Sequence, residues 1–157
     1  MQGAGPILVP MPNRAFFSPG TDCLEAIRSR LLLAEFEVLV CVFTISDDRL
    51  TETLLEVHER GIEVRIVTDN DKVFDKGSDV RLLAHRGIPI VVDRSEHHMH
   101  HKFLVCDRRY VLTGSYNWTR TAEFANRENV VEIDDPLLAE RFAEEFESIW
   151  KQGRRWR

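Results

Sequence analysis

Residues 97–107 read HHMHHKFLVCD. Four of the first five are histidine. KFLVCD (102–107) and YVLTG (110–114) then form a hairpin-like pair around Arg108 and Arg109. On an extended segment side chains alternate between the two faces of a sheet. His100 and Lys102 therefore share a face, and Asp107, of opposite parity, does not. A histidine beside a fixed ammonium suits a phosphoryl group: lysine supplies a positive point charge, and neutral imidazole can attack phosphorus. A metal cage is disfavoured by the same geometry. Adjacent histidines on a strand point apart, so one ion collects at most two of them, such as His98 with His100. No cysteine stands at a spacing that would complete a zinc set. No metal and no cofactor is expected.

Downstream, TGSYNWT (113–119) reads as the end of a strand and a polar helix start, with Ser115, Asn117 and Thr119 at the opening turn. Free backbone N–H groups at such a turn favour anions, and Asn117 can donate to a phosphate oxygen without adding charge. Glu128, in NREN, could accept the second ring N–H of a histidine and so fix its tautomer. Arg127 and His98 are candidate substrate contacts. Residues 100–128 carry five basic side chains (Lys102, Arg108, Arg109, Arg120, Arg127) against three acids, whereas residues 132–148 hold seven acids and one arginine. The histidine region is thus locally basic in a chain of net charge −5, and only a local patch can draw in an anionic substrate.

Around this centre, helices and strands alternate. Asp22 with Glu25 resembles a capping box opening a helix over roughly 22–35. EVLVCVFTI (37–45) is a near-continuous apolar run, the pattern of a buried strand. Residues 46–48 (SDD) cap a helix that Gly61 ends, and EVRIVTD (63–69) is the next strand. VHERGIEVRIVTD (57–69) and LAHRGIPIVVD (83–93) echo one another as two similar helix-to-strand joins, with His58 and His85 at helix C-termini rather than in a site. NVVEI (129–133) is a strand, and LLAERFAEEFESIW (137–150) an amphipathic helix. The chain of 157 residues is 43% hydrophobic, which suits a single domain. The organisation expected is an extended lead-in over 1–20, a catalytic domain over 21–152 and a basic tail over 153–157. The fold class expected is α/β, a mixed β-sheet sandwiched between α-helices. Cys23, Cys41 and Cys106 show no paired spacing; Cys41 and Cys106 sit in apolar runs and read as small buried hydrophobes, and a reducing compartment is the simpler expectation. A cytoplasmic or otherwise soluble protein is expected, with a removed upstream anchor left open.

His100, Lys102, Asp107, Gly114, Ser115 and Asn117 together spell H-x-K-x4-D-x6-G-S-x-N. This resembles the signature of the phospholipase D superfamily, and the likeness extends over roughly 15–150. MHHKF, TGSYNWT, NREN and EEFESIW resemble the branch that includes mitochondrial cardiolipin hydrolase and Zucchini-type endonucleases, and the small bacterial phospholipase D-like nucleases. The resemblance implies a metal-independent phosphodiesterase. His100 would form a phosphohistidine, Lys102 and Asn117 would hold the non-bridging oxygens with Ser115 in support, Glu128 would orient the histidine, and Asp107 would act structurally and electrostatically. A second histidine must protonate the leaving group. With one H-x-K in the chain, a homodimer with the active site on its two-fold axis is implied.

The expected substrate is single-stranded RNA or DNA, cut endonucleolytically, with Trp150 and Trp156 available to stack on bases. Against this, the tail reads more readily as a frayed, solvated end. The alternative is a phospholipase D acting on cardiolipin or another phospholipid. Phe16, Phe17 and Phe74 are its candidate apolar rim, though each reads more readily as core.

Overall fold

A computed structural model describes residues 12–157. Eight strands form one sheet: β1 (Arg14–Phe17), β2 (Glu37–Val42), β3 (Glu63–Thr68), β4 (Ile90–Val92), β5 (Lys102–Cys106), β6 (Tyr110–Gly114), β7 (Asn129–Asp134) and β8 (Arg154–Arg155). Among the described residues five α-helices accompany them, α1 (Asp22–Leu32), α2 (Asp48–Glu59), α3 (Val80–His85), α4 (Arg120–Phe124) and α5 (Pro136–Gln152), with a 3₁₀ turn over Lys72–Phe74. The sheet order is β1-β7-β6-β5-β2-β3-β4-β8. β2, β3 and β4 are parallel, and every other pairing is antiparallel. The mixed α/β sandwich expected from the sequence is the fold observed.

β2 shows why its sequence reads as an unbroken apolar run. All six residues are buried, because the strand lies mid-sheet with helices on both faces. Val38, Val40 and Val42 join the cluster under α1 and α2, while Leu39 and Cys41 join the one under α5 with Ala139, Ala143 and Phe146. β5 continues the alternation: Leu104 and Cys106 face the α1/α2 side, Phe103 and Val105 the α5 side. The two echoing joins both turn on a glycine at positive φ, Gly61 at 86° and Gly87 at 93°, a region open to glycine without cost.

Several local expectations need correction. The first helix has Thr21, not Asp22, at its N-cap, and no side chain caps it. The strand read as 37–45 stops at Val42, where Thr68 Oγ1 donates to the carbonyls of Val42 (2.8 Å) and Phe43 (3.2 Å). Two stretches read as flanks belong to the sheet. Within the lead-in, Arg14–Phe17 pairs with β7, while residues 1–11 lie outside the described residues. In the basic tail, Arg154 and Arg155 pair with Val92 and Val91 of β4. Phe17 and Phe74, read as core, are 65% and 69% exposed; Phe16 does pack on the core. Buried Arg30 bridges Glu132 at 2.7 Å and lies over the Tyr110 ring, so the charge inside the sheet face is paired.

Candidate active site

The strand directions bring the C-terminal ends of β2, β3, β4 and β6 together with the starts of β5 and β7. Chain direction reverses between β2 and β5, and the crevice outside strand ends at such a reversal is where ligands bind in α/β sheets. His100 lies just before β5, exposed, and Lys102 is its first residue, half-buried. The parity argument holds. Lys102 pairs across from Val42 on the α1/α2 side, and its Nζ lies 3.2 Å from His100 Nδ1 and donates to the His100 carbonyl oxygen at 2.7 Å.

Phe43, which sequence reasoning passed over, is the floor of this site. Its ring meets the rings of His100 (4.6 Å) and His98 (5.2 Å), and the ammonium groups of Lys102 (5.0 Å) and Lys72 (5.3 Å) stand over it. A ring face attracts such cations. Burial pushes the His100 pKa down, and the charges of Lys102, His98 and His101 push the same way, against Asp69. Burial also lowers the Lys102 pKa, against the Glu128 carboxylate. The site thus favours a neutral imidazole, the form that can attack.

The four histidines do not converge. His101 turns to the α5 face, where Nε2 meets Glu145 at 3.0 Å and the ring packs on Phe103; it is bonded at the strand edge, not buried. His97 is exposed, its backbone engaged with Ser95. His98 Nδ1 is 3.4 Å from Asp69. Asp69 is wholly buried and accepts backbone N–H groups from Asp71, Lys72 and Met99. Its counterpart in the echo, Asp93, accepts from Asn70 and Ser95. The acidic strand ends VTD and VVD are therefore clamps that hold the loops of the site. Asp69, Asp71 and His98 bring their ligand atoms within 4.8 Å of one another, and Asp69 accepts two of those amides on Oδ1 and one on Oδ2.

Across β6, Gly114 admits the start of β7: a Cβ there would sit 2.1 Å from the Asn129 carbonyl oxygen. Ser115 N–H donates to that oxygen at 3.1 Å, and Asn129 N–H donates to Ser115 Oγ at 3.1 Å. Ser115 Oγ donates to Glu128, which also accepts from Asn126 Nδ2 at 3.0 Å. Within one chain Glu128 therefore bonds Ser115 and Asn126 rather than the histidine. Asn117 Oδ1 is buried without a partner among the described residues. Ser115 and Asn117 precede α4, whose N-cap is Thr119, so they sit in the loop and not on the helix. Arg127 is exposed with no ion-pair partner among the described residues.

Asp107 is at the other end of β5. Its carboxylate accepts the backbone N–H groups of Glu35, Phe36 and Glu37 at 2.9–3.0 Å. Asp107 and Arg108 adopt φ of 54° and 51° to close the hairpin, a conformation Asp tolerates better than most residues.

Residues 27–150 match the family described as cardiolipin synthase, PLD-like domain. A mitochondrial cardiolipin hydrolase of Chlamydomonas reinhardtii is 44% identical over 111 residues, 71% of this chain and 50% of that protein. Its namesake in Xenopus tropicalis is 40% identical over 148 residues, 94% of this chain and 70% of that protein. The chain thus spans between half and 70% of these two relatives. The crystal structure of Nuc from Salmonella typhimurium, a phospholipase D family member, superposes with a TM-score of 0.89 at 30% identity, covering 95% of this chain and 99% of that one. Among the described residues no helix is long and apolar enough to cross a membrane. The sheet, the paired His100 and Lys102 and these likenesses agree: the chain belongs to the phospholipase D superfamily of phosphodiesterases.

Proposed function

We propose that the chain is a metal-independent phosphodiesterase that works as a homodimer and cuts single-stranded nucleic acid. The observation that carries the chemistry is the adjacency of His100 and Lys102 over Phe43, facing the Ser115–Asn117 loop. Lys102 Nζ and the Asn117 amide hold the non-bridging oxygens, Ser115 supports that loop, and His98 and Arg127 contact the flanking strand. His100 Nε2 attacks phosphorus, a P–N bond forms, and the P–O bond to the leaving alcohol breaks. The alcohol takes a proton from a second histidine, His100 of the partner chain. That histidine, now neutral, removes a proton from water, whose oxygen displaces His100 from phosphorus. Two histidines facing one phosphate exchange roles in this way and titrate as a pair.

Attack through Nε2 needs the proton on Nδ1, and Lys102 Nζ stands 3.2 Å from Nδ1. A phosphate that draws Lys102 onto its oxygens leaves Nδ1 free to carry that proton. The phospholipase reading is favoured by the names of the relatives and by the exposure of Phe17 and Phe74.

The test is cleavage, in excess chelator, of labelled single-stranded RNA, single-stranded DNA and cardiolipin vesicles by wild type and His100→Ala. Chelator-resistant cutting of nucleic acid, lost in the variant, is the expected result. Phosphatidic acid released from vesicles with nucleic acid intact moves the chain to the lipid reading. Loss of wild-type activity in chelator overturns the phosphohistidine route.

A further inference from the structure

A groove of about 580 Å³ begins at His100 and His98 and runs past Ser95 and Arg94 to Gln152 and Gly153 at the end of α5. A smaller one of about 250 Å³ shares Asp93 and Arg94 with it and ends at Asn70 and Arg154. The two adjoin at Asp93 and Arg94, and together they reach from the reaction centre to the far edge of the sheet.

Two cations on this path are available. Arg94 and Arg154 are exposed and have no ion-pair partner among the described residues. Several other arginines are committed, Arg49 to Asp47 and Glu123, Arg65 to Glu147, Arg108 to Glu37 and Arg109 to Asp134, whereas Arg81, Arg127 and Arg157 are unpaired among the described residues but line neither groove. Two acids also line the path: Asp93, which accepts two backbone N–H groups, and Glu145, which lies 3.0 Å from His101 Nε2.

Arg154 is placed, not trailing. β8 pairs it with Val92, Trp156 N–H donates to the Ile90 carbonyl oxygen at 2.9 Å, and the Trp156 ring meets Phe74 edge-on. At Gly153 a Cβ would lie 2.2 Å from Val91 Cγ1 and 2.7 Å from the Val92 carbonyl oxygen, so the chain turns onto β4 only because glycine is there.

We infer that Arg94 and Arg154 form a phosphate track that holds the strand flanking the scissile bond. This deepens the nuclease reading and rests on it. From β5 to β8 is four strand spacings, roughly 19 Å. A polymer that repeats its phosphates along a flexible strand can engage both ends of such a path. A phospholipid headgroup, with its phosphates within one glycerol unit of the scissile bond, cannot.

The experiment compares a long single-stranded oligonucleotide with a dinucleotide of the same sequence at the cut, for wild type, Arg94→Ala, Arg154→Ala and Arg94→Lys. Thermal midpoints verify folding, which exposed and unpaired arginines do not endanger. For each alanine variant the ratio of kcat/KM on the long substrate to that on the dinucleotide falls about 5–10-fold through KM, and the log–log slope of affinity against salt falls by about 0.7. Arg94→Lys retains most of both. An unchanged ratio and slope in both alanine variants overturns the track and leaves the nuclease standing, as does a wild type that cuts both lengths equally well. A wild type that hydrolyses vesicle cardiolipin and no nucleic acid overturns the nuclease reading and the track together.

Discussion

Lys102 grips His100 from two sides: its ammonium donates to the His100 carbonyl oxygen at 2.7 Å and lies 3.2 Å from the ring at Nδ1. The contact fixes the lysine head beside the imidazole and holds the His100 pKa below its ordinary value, after burial as the larger cause. A folded-state pKa below the unfolded one means that the unfolded chain binds this proton first. Through His100, acid therefore weakens folding as pH falls past these values, and neutral pH restores it.

In Lys102→Met the second cause of that depression is gone. The His100 pKa is expected to rise toward its ordinary value without reaching it, since burial and His98 still act. Histidine proton shifts followed by NMR across the acid range measure this directly. An unmoved His100 titration would show that the ammonium is too well solvated to matter.

Asp107 serves stability far from the reaction. Asp107→Ala leaves three backbone N–H groups at Glu35, Phe36 and Glu37 without their acceptor. The expected loss is about 2–3 kcal/mol, read as a lower denaturant midpoint. Phosphodiesterase activity per folded molecule should fall far less than in His100→Ala. Equal losses in the two variants would place Asp107 in the chemistry after all.

Gly114→Ala drives a methyl group into the Asn129 carbonyl oxygen. The ends of β6 and β7 must part there, which breaks the paired bonds between Ser115 and Asn129. A cost of about 1–3 kcal/mol is expected, together with a fall in kcat because Ser115 and Asn117 hang from this joint. A crystal structure of the variant with the Ser115–Asn129 bonds intact would refute the argument.

Much of this molecule is legible along the chain. The period of two in HHKFLVCD (100–107) places His100 and Lys102 together and Asp107 apart. The apolar run of β2 announces a strand covered on both faces, and the order of the motif identifies the superfamily. These features are local or arise from spacing, and spacing survives in a string of letters. Other features depend on which distant segments the sheet brings side by side. Phe43 becomes the floor of the site because β2 ends beside β5. Asp69 and Asp93 look like two ends of a repeat until their buried carboxylates meet the amides of neighbouring loops. Glu128 reads as a partner for histidine, and within one chain the β6–β7 pairing brings it to Ser115. The tail reads as a frayed basic end, yet Gly153 lets it lie along β4. Alternation and motif order were thus determined by the sequence alone. Only the tertiary structure decided which charges are already neutralised by a partner and which remain free to meet a phosphate, because that depends on contacts between residues far apart in the chain.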